Sequence, residues 1–119
     1  AKFINPLGQK PAFAGFCPAL ELKIGAFHGT IQDKLSYHKD QPFSTKDRDN
    51  SNGGSCAATY KGGWWYNSCH YSNLNGINYG YEKSDTTSMC WSSFGNYGSL
   101  KSIKMQYDHS KNIHDWKMR

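Results

Sequence analysis

Apolar and polar residues alternate cleanly at only two places in this chain of 119 residues. The first is Leu20-Glu21-Leu22-Lys23-Ile24, which has the period of a half-buried strand. The second sets Ile103, Met105 and Tyr107 on one face against Lys104, Gln106 and Asp108 on the other. Ahead of the first, Pro6, Pro11 and Pro18 forbid a long helix, so residues 1–19 are expected to be irregular. Gly25 and Gly29 punctuate a turn region around Phe27, and Asp33 to Ser36 predict a short helical turn leading to Pro42-Phe43. Residues 47–99 show no sustained period and hold eight of the twelve glycines, which predicts long ordered loops rather than a regular sheet. Residues 108–119 read as a polar tail, with Trp116 able to dock it.

Composition explains how so loop-rich a chain can still fold. The loop stretch carries Trp64, Trp65, Trp91, seven further aromatics and three cysteines. Each aromatic can bury about 150–250 Å² within the loops themselves. The length suits one compact, helix-poor, loop-rich domain. No run approaches the 18 apolar residues of a membrane-spanning helix, so membrane insertion is not expected. The net charge of +5 invites a nucleic-acid reading, yet only two of the fourteen basic residues are Arg and the lysines stand singly. A solvated surface is the better reading, with no nucleic-acid partner.

Cys17, Cys56, Cys69 and Cys90 contain no CxxC pair, and the adjacent Cys69-His70 cannot easily chelate one tetrahedral ion. An even count in a small Gly/Asn/Ser-rich chain fits disulfides and an extracellular compartment. A start at Ala1 without Met or signal peptide is consistent with a processed or trimmed product, so secretion is expected. No GxSxG, HExxH or phosphate-cradling glycine loop is present, and the histidines and acids are dispersed. An enzyme is not expected.

The residues that carry a family resemblance lie in the middle of the chain. Phe43-Ser44-Thr45-Lys46-Asp47-Arg48-Asp49-Asn50, then Cys56-Ala57, then GGWWYNSCHYSNLNG from Gly62 to Gly76, closely resemble the fibrinogen C-terminal globular domain shared by ficolins, tachylectins and other fibrinogen-related lectins. Upstream, GAFHGTIQDKLSYH from Gly25 to His38 resembles the family's segment before the acidic loop, and residues 99–105 its last strand. The resemblance implies a partial domain over residues 1–107 of the loop-rich α+β class: a small, mainly antiparallel sheet with long disulfide-stapled loops. Complete family domains are about twice as long, so the N-terminal subdomain is expected to be absent.

The resemblance also implies a Cys56–Cys69 disulfide and a cis peptide bond between Ser68 and Cys69. It implies a calcium site in the loop holding Asp47, Asp49, Ser51 and Gly53. Calcium takes six to eight oxygens from carboxylates and carbonyls on a flexible loop. Asp49 is expected as the best ligand, and Asp47 as an organiser of the loop. Ser51 stands where the family often has a third acid, which lowers the ligand charge. In the related lectins an acetyl group enters a pocket whose residues match Tyr60, His70 and Tyr97, while Thr86 replaces an aromatic wall. His70, held by the neighbouring disulfide, is expected to offer an N–H to a ligand carbonyl. Cys17 and Cys90 lie outside the family's disulfide in this half and could pair with each other or bridge chains. Two functions follow from the resemblance. One is a secreted, non-catalytic recognition module for N-acetylated sugars or other acetyl groups, of the innate-immune kind, acting as a homo-oligomer or in a larger extracellular assembly. The other is a structural or adhesive extracellular protein that kept the fold and lost the pocket.

Overall fold

The computed structural model describes residues 20–108, 110, 111 and 113–118. Regular structure is sparse and short. Among the described residues a 3-10 turn covers Ser36–His38, and a five-residue helix, α1, covers Cys56–Tyr60. Strands β1 (Ser72–Asn73), β2 (Cys90–Trp91) and β3 (Gly98–Ser99) form one antiparallel sheet in the order β1-β2-β3. Ser72 pairs with Trp91 and Cys90 with Ser99, so β2 is the centre strand. β4 (Ile103–Asp108) and β5 (Ile113–Met118) form a separate antiparallel pair, in register from Ile103↔Met118 to Asp108↔Ile113. The loop-rich α+β class expected from the sequence is therefore the observed one.

Leu22, Leu35, Cys56, Ala57, Trp64, Tyr66, Leu74, Trp91 and Leu100 form the core between loops and the small sheet. Trp91 is fully buried, and its indole Nε1–H donates to the Gln32 carbonyl at 2.9 Å, pinning the N-terminal loop to the central strand. The Cys56–Cys69 disulfide ties α1 to the segment before β1. Gly53 packs against this bridge. A Cβ there would fall 2.8 Å from both sulfurs, so no larger residue fits without displacement.

Several local expectations shift. Residues 20–24 do not build a named strand; Glu21 makes an isolated bridge to Pro42, while Leu22 alone is buried. Residues 40–43 run beside this segment, the Leu22 amide donating to the Gln41 carbonyl at 3.1 Å and the Phe43 amide to the Leu20 carbonyl at 2.9 Å, but the pairing is too short for a ladder. The helical turn predicted over Asp33–Ser36 forms slightly later, because Asp33 Oδ1 accepts from the Leu35 and Ser36 amides and caps the turn instead of joining it. On β4, Ile103 and Met105 are half-buried as predicted, but Tyr107 is exposed. The presumed polar tail is not a tail, since 113–118 pair as β5 along the whole of β4. The uneven spacing of Ile113, Trp116 and Met118 hid this strand from a reading based on apolar alternation. Cys17 and the Trp116 side chain lie outside the described residues.

Candidate functional site

The structure brings Tyr60, His70, Tyr97 and the Thr86 carbonyl together. Tyr60 ends α1, His70 follows the disulfide, Thr86 sits in the loop before β2, and Tyr97 precedes β3. The Tyr60 ring meets the His70 ring edge-on at 4.6 Å between centroids, and Tyr97 meets it edge-on at 5.9 Å. Tyr66 lies below, 6.2 Å from His70. Such tilted aromatic contacts set the rings as walls rather than as a stack. The peptide bond between Ser68 and Cys69 is cis.

His70 is 8% exposed and its tautomer is decided by one contact. Nε2 lies 3.0 Å from the Thr86 carbonyl oxygen, which can only accept, so Nε2 carries the proton and donates. Nδ1 therefore holds a lone pair, and it is buried without a hydrogen-bond partner. Burial also lowers the His70 pKa, keeping the ring neutral at pH 7. The expectation that His70 offers an N–H to a ligand is corrected: its N–H is spent on Thr86, and what remains is an acceptor. Thr86 contributes only this carbonyl, while the residue itself is exposed.

Tyr97 owes its place to an unusual backbone. Asn96 and Tyr97 have φ of 54° and 67°, after Gly95 at 60°. The left-handed region is costly for a bulky residue, about 1–2 kcal/mol. The turn is held there by the Asp85 amide donating to the Tyr97 carbonyl at 3.1 Å, and by the Ser84 hydroxyl donating to the Asn96 carbonyl. Asp85, hydrogen-bonded by the Thr87 amide and hydroxyl and paired with Lys83, has its pKa lowered to about 2.

Two buried polar residues that the sequence reading did not single out hold the pocket in shape. Asn73, fully buried in β1, accepts from the Tyr66 hydroxyl at 2.7 Å. Its amide donates to the carbonyls of Tyr60 (3.0 Å), Ser88 (3.3 Å) and Thr86 (3.4 Å). One side chain thus fixes α1, the Thr86 carbonyl and the tyrosine floor. Gly76 makes room for it: a Cβ at this position would lie 2.6 Å from Asn73 Nδ2 and 2.3 Å from the Ser88 carbonyl oxygen. His38, also fully buried, donates from Nδ1 to the Trp65 carbonyl at 2.8 Å. Its Nε2 accepts from the amides of Tyr71 (3.2 Å) and Ser72 (3.3 Å), directly after His70. Desolvation pushes its pKa down to about 4. Both residues sit inside the quoted motifs, but their chain neighbours, Tyr37 and Lys39 for His38 and Ser72 and Leu74 for Asn73, carry no local signal of burial.

The acidic loop is built differently. Asp47, Asp49 and Gly53 are exposed and Ser51 is half-buried. Asp49 accepts from the Ser51 amide and hydroxyl through Oδ1 and from the Ser55 amide through Oδ2 at 2.8 Å. Asp47 accepts from the Thr45 hydroxyl at 2.7 Å. These bonds to the charged form lower both carboxyl pKa values, for Asp49 chiefly through Ser51 and for Asp47 chiefly through Thr45. Asp49 thus makes more of the loop's internal hydrogen bonds than Asp47, which accepts from the Thr45 side chain. The donor set of two carboxylates, a hydroxyl and nearby carbonyls is all oxygen, which suits a hard cation at low ligand charge. Among the described residues no three His, Cys, Asp or Glu side chains converge. The Asn52 and Gly53 amides both donate to the Asn67 carbonyl at 3.1 Å, which couples this loop to the disulfide and the pocket edge.

Cys90 is a free thiol on the centre strand, fully buried, with its pKa raised to about 11 by desolvation. In this conformation it is closed to another chain, so it cannot serve as a chain-bridging cysteine.

Residues 12–109 match the family of fibrinogen beta and gamma chains, C-terminal globular domain. The chain belongs to this family. Human Tenascin-R is 47% identical over 78 residues, covering 58% of this chain and 6% of its own length. Mouse Angiopoietin-related protein 6 is 45% identical over 89 residues, covering 71% of this chain and 20% of its own. Among solved structures, the fibrinogen-like globe domain of human ANGPTL6 superposes with a TM-score of 0.60 at 43% identity, and that of human ANGPTL2 with 0.61 at 41%. Each covers 68% of this chain, whereas the chain covers only 39% and 40% of those globes. The fibrinogen-like domain is thus matched in part.

Proposed function

We propose that the chain is a secreted, non-catalytic recognition module whose His70 pocket takes an acetylated group, foremost the acetamido group of an N-acetylated sugar. The observation that carries this reading is the buried, unpartnered Nδ1 of His70 between Tyr60 and Tyr97. A buried acceptor without a donor costs about 1–3 kcal/mol, which a ligand donor can recover. An acetamido group brings an N–H for Nδ1 and a methyl for the tyrosine walls. Because Nδ1 is closed to solvent, such a ligand must displace one of the groups that cover it. An acetate ester lacks the N–H, so acetamides are preferred over O-acetyl esters. The disulfide supports an oxidising, extracellular setting. Calcium held by Asp47, Asp49, Ser51 and Gly53 would stiffen the loop that abuts the pocket edge through Asn67. Presentation on a homo-oligomer would raise avidity for glycan surfaces, as innate-immune recognition requires.

Binding to immobilised N-acetylglucosamine, for wild type and His70→Ala, with calcium and with EDTA, tests the reading. Wild type binds, His70→Ala loses at least about tenfold, and EDTA weakens binding. No binding by wild type in excess calcium refutes it. The structural or adhesive alternative draws on one observation: Thr86 lends a carbonyl where an aromatic wall would enlarge the pocket. It predicts covalently bridged chains on non-reducing gels, and the burial of Cys90 leaves that role to Cys17.

A further inference from the structure

We propose that a second cleft, beside the pocket, is a saccharide subsite for a sugar further along the same glycan; the proposal rests on the acetamido reading of the His70 pocket. The cleft encloses about 650 Å³ and is lined by Asn78, Tyr81, Glu82, Phe94 and Lys101, among others. That volume lies within the range of small-molecule sites. Tyr81 is 63% exposed and Phe94 44%, so two large rings stand in solvent in one concavity. Glu82 and Lys101 are exposed and have no hydrogen-bond or ion-pair partner among the described residues. Asn78 uses its carbonyl oxygen on the Gly80 amide at 3.0 Å, which leaves its NH₂ group for a ligand.

A pyranose fits this set of groups. Its C–H face packs on an aromatic ring, and its hydroxyls need both acceptors and donors. Tyr81 and Phe94 supply the rings, Glu82 the acceptor, and Lys101 with Asn78 the donors. The opposite charges of Glu82 and Lys101 leave no demand for an ionic ligand. The walls are braced in advance: the Ser99 hydroxyl donates to the Tyr81 carbonyl at 2.9 Å and accepts from the Lys83 amide at 3.0 Å. The Gly98 amide donates to the Phe94 carbonyl at 2.8 Å. The turn that lends Tyr97 to the pocket also lends Phe94 to the cleft, which ties the two sites to one turn.

The test compares N-acetylglucosamine with its β1,4-linked trimer, by calorimetry and amide chemical-shift mapping, on wild type, His70→Ala, Tyr81→Ala and Phe94→Ala. The trimer binds about tenfold more tightly than the monosaccharide, and only the trimer shifts the amides of residues 80–82. Tyr81→Ala and Phe94→Ala each remove about three- to tenfold of trimer affinity and leave the monosaccharide unchanged. Both substituted rings are exposed, so folding is retained. A monosaccharide bound through His70 with no gain for the trimer overturns the subsite and keeps the pocket. Trimer binding that depends on Tyr81 but not on His70 overturns the pocket and keeps the cleft as a saccharide site. A trimer advantage that survives both ring substitutions, or no binding of either sugar, overturns the subsite.

Discussion

The pocket around His70 and the acidic loop around Asp49 are made of the same kind of bond, a side chain satisfying backbone amides or carbonyls, yet they sit in opposite environments. Asn73 and His38 make their bonds fully buried, whereas Asp49 makes its bonds in solvent. In the interior a lost partner strands groups that water cannot reach, and each costs about 1–3 kcal/mol. At the surface water replaces the partner at once. The pocket is therefore a shape fixed by the fold, and the loop is a shape that a bound cation is free to change.

The largest break in this contrast comes from the interior. Asn73→Ala leaves the Tyr66 hydroxyl and three carbonyls without their shared partner, and costs about 2–4 kcal/mol in urea unfolding. Removing the disulfide as Cys56→Ala with Cys69→Ala comes next. It opens a loop of 13 residues' separation and costs about 3 kcal/mol, measured by the same midpoint shift. Acid sharpens the comparison further. The His38 pKa is lowered in the fold to about 4 from an unfolded value of 6.5, so the unfolded chain binds the extra proton first. Its contribution is present above pH 6.5 and is lost as pH falls from 6.5 towards 4, for a total of about 3 kcal/mol. Burial lowers His70 in the same direction. Urea midpoints from pH 7.5 to 4.5 follow this slope, and His38→Gln flattens most of it; an unchanged profile would show that His38 is not buried neutral.

The smallest effect belongs to the loop. The Asp49 carboxyl is held below its usual value of 3.8 by Ser51 and Ser55, so its contribution is lost only as pH falls below that value. Asp49→Asn moves the urea midpoint by less than any interior change; under the proposed calcium reading it also weakens the protection that added calcium gives the loop in hydrogen exchange. A midpoint shift as large as that of Asn73→Ala would erase the distinction between the two regions.

Tyr60, His70 and Tyr97 were singled out by the resemblance rather than by their spacing, and their rings do lie together in the structure. The pocket's supports were not legible. Asn73 and His38 are polar, and a polar residue is a surface residue by default; only the aromatic and apolar shells around them make them internal. β5 escaped for a different reason, since its apolar residues Ile113, Trp116 and Met118 are spaced three and two apart and give no clean alternation.

By itself, then, the sequence determined a loop-rich, helix-poor domain held by aromatics, because residue type and spacing carry that much; the α+β fold and the Cys56–Cys69 bridge came through the family resemblance, and both are present in the structure. Only the tertiary structure decided which nitrogen of His70 keeps its proton. That depends on the Thr86 carbonyl, 16 residues away in the chain and 3.0 Å away in space. A tautomer is set by the partner a ring meets, and such partners are brought by packing alone.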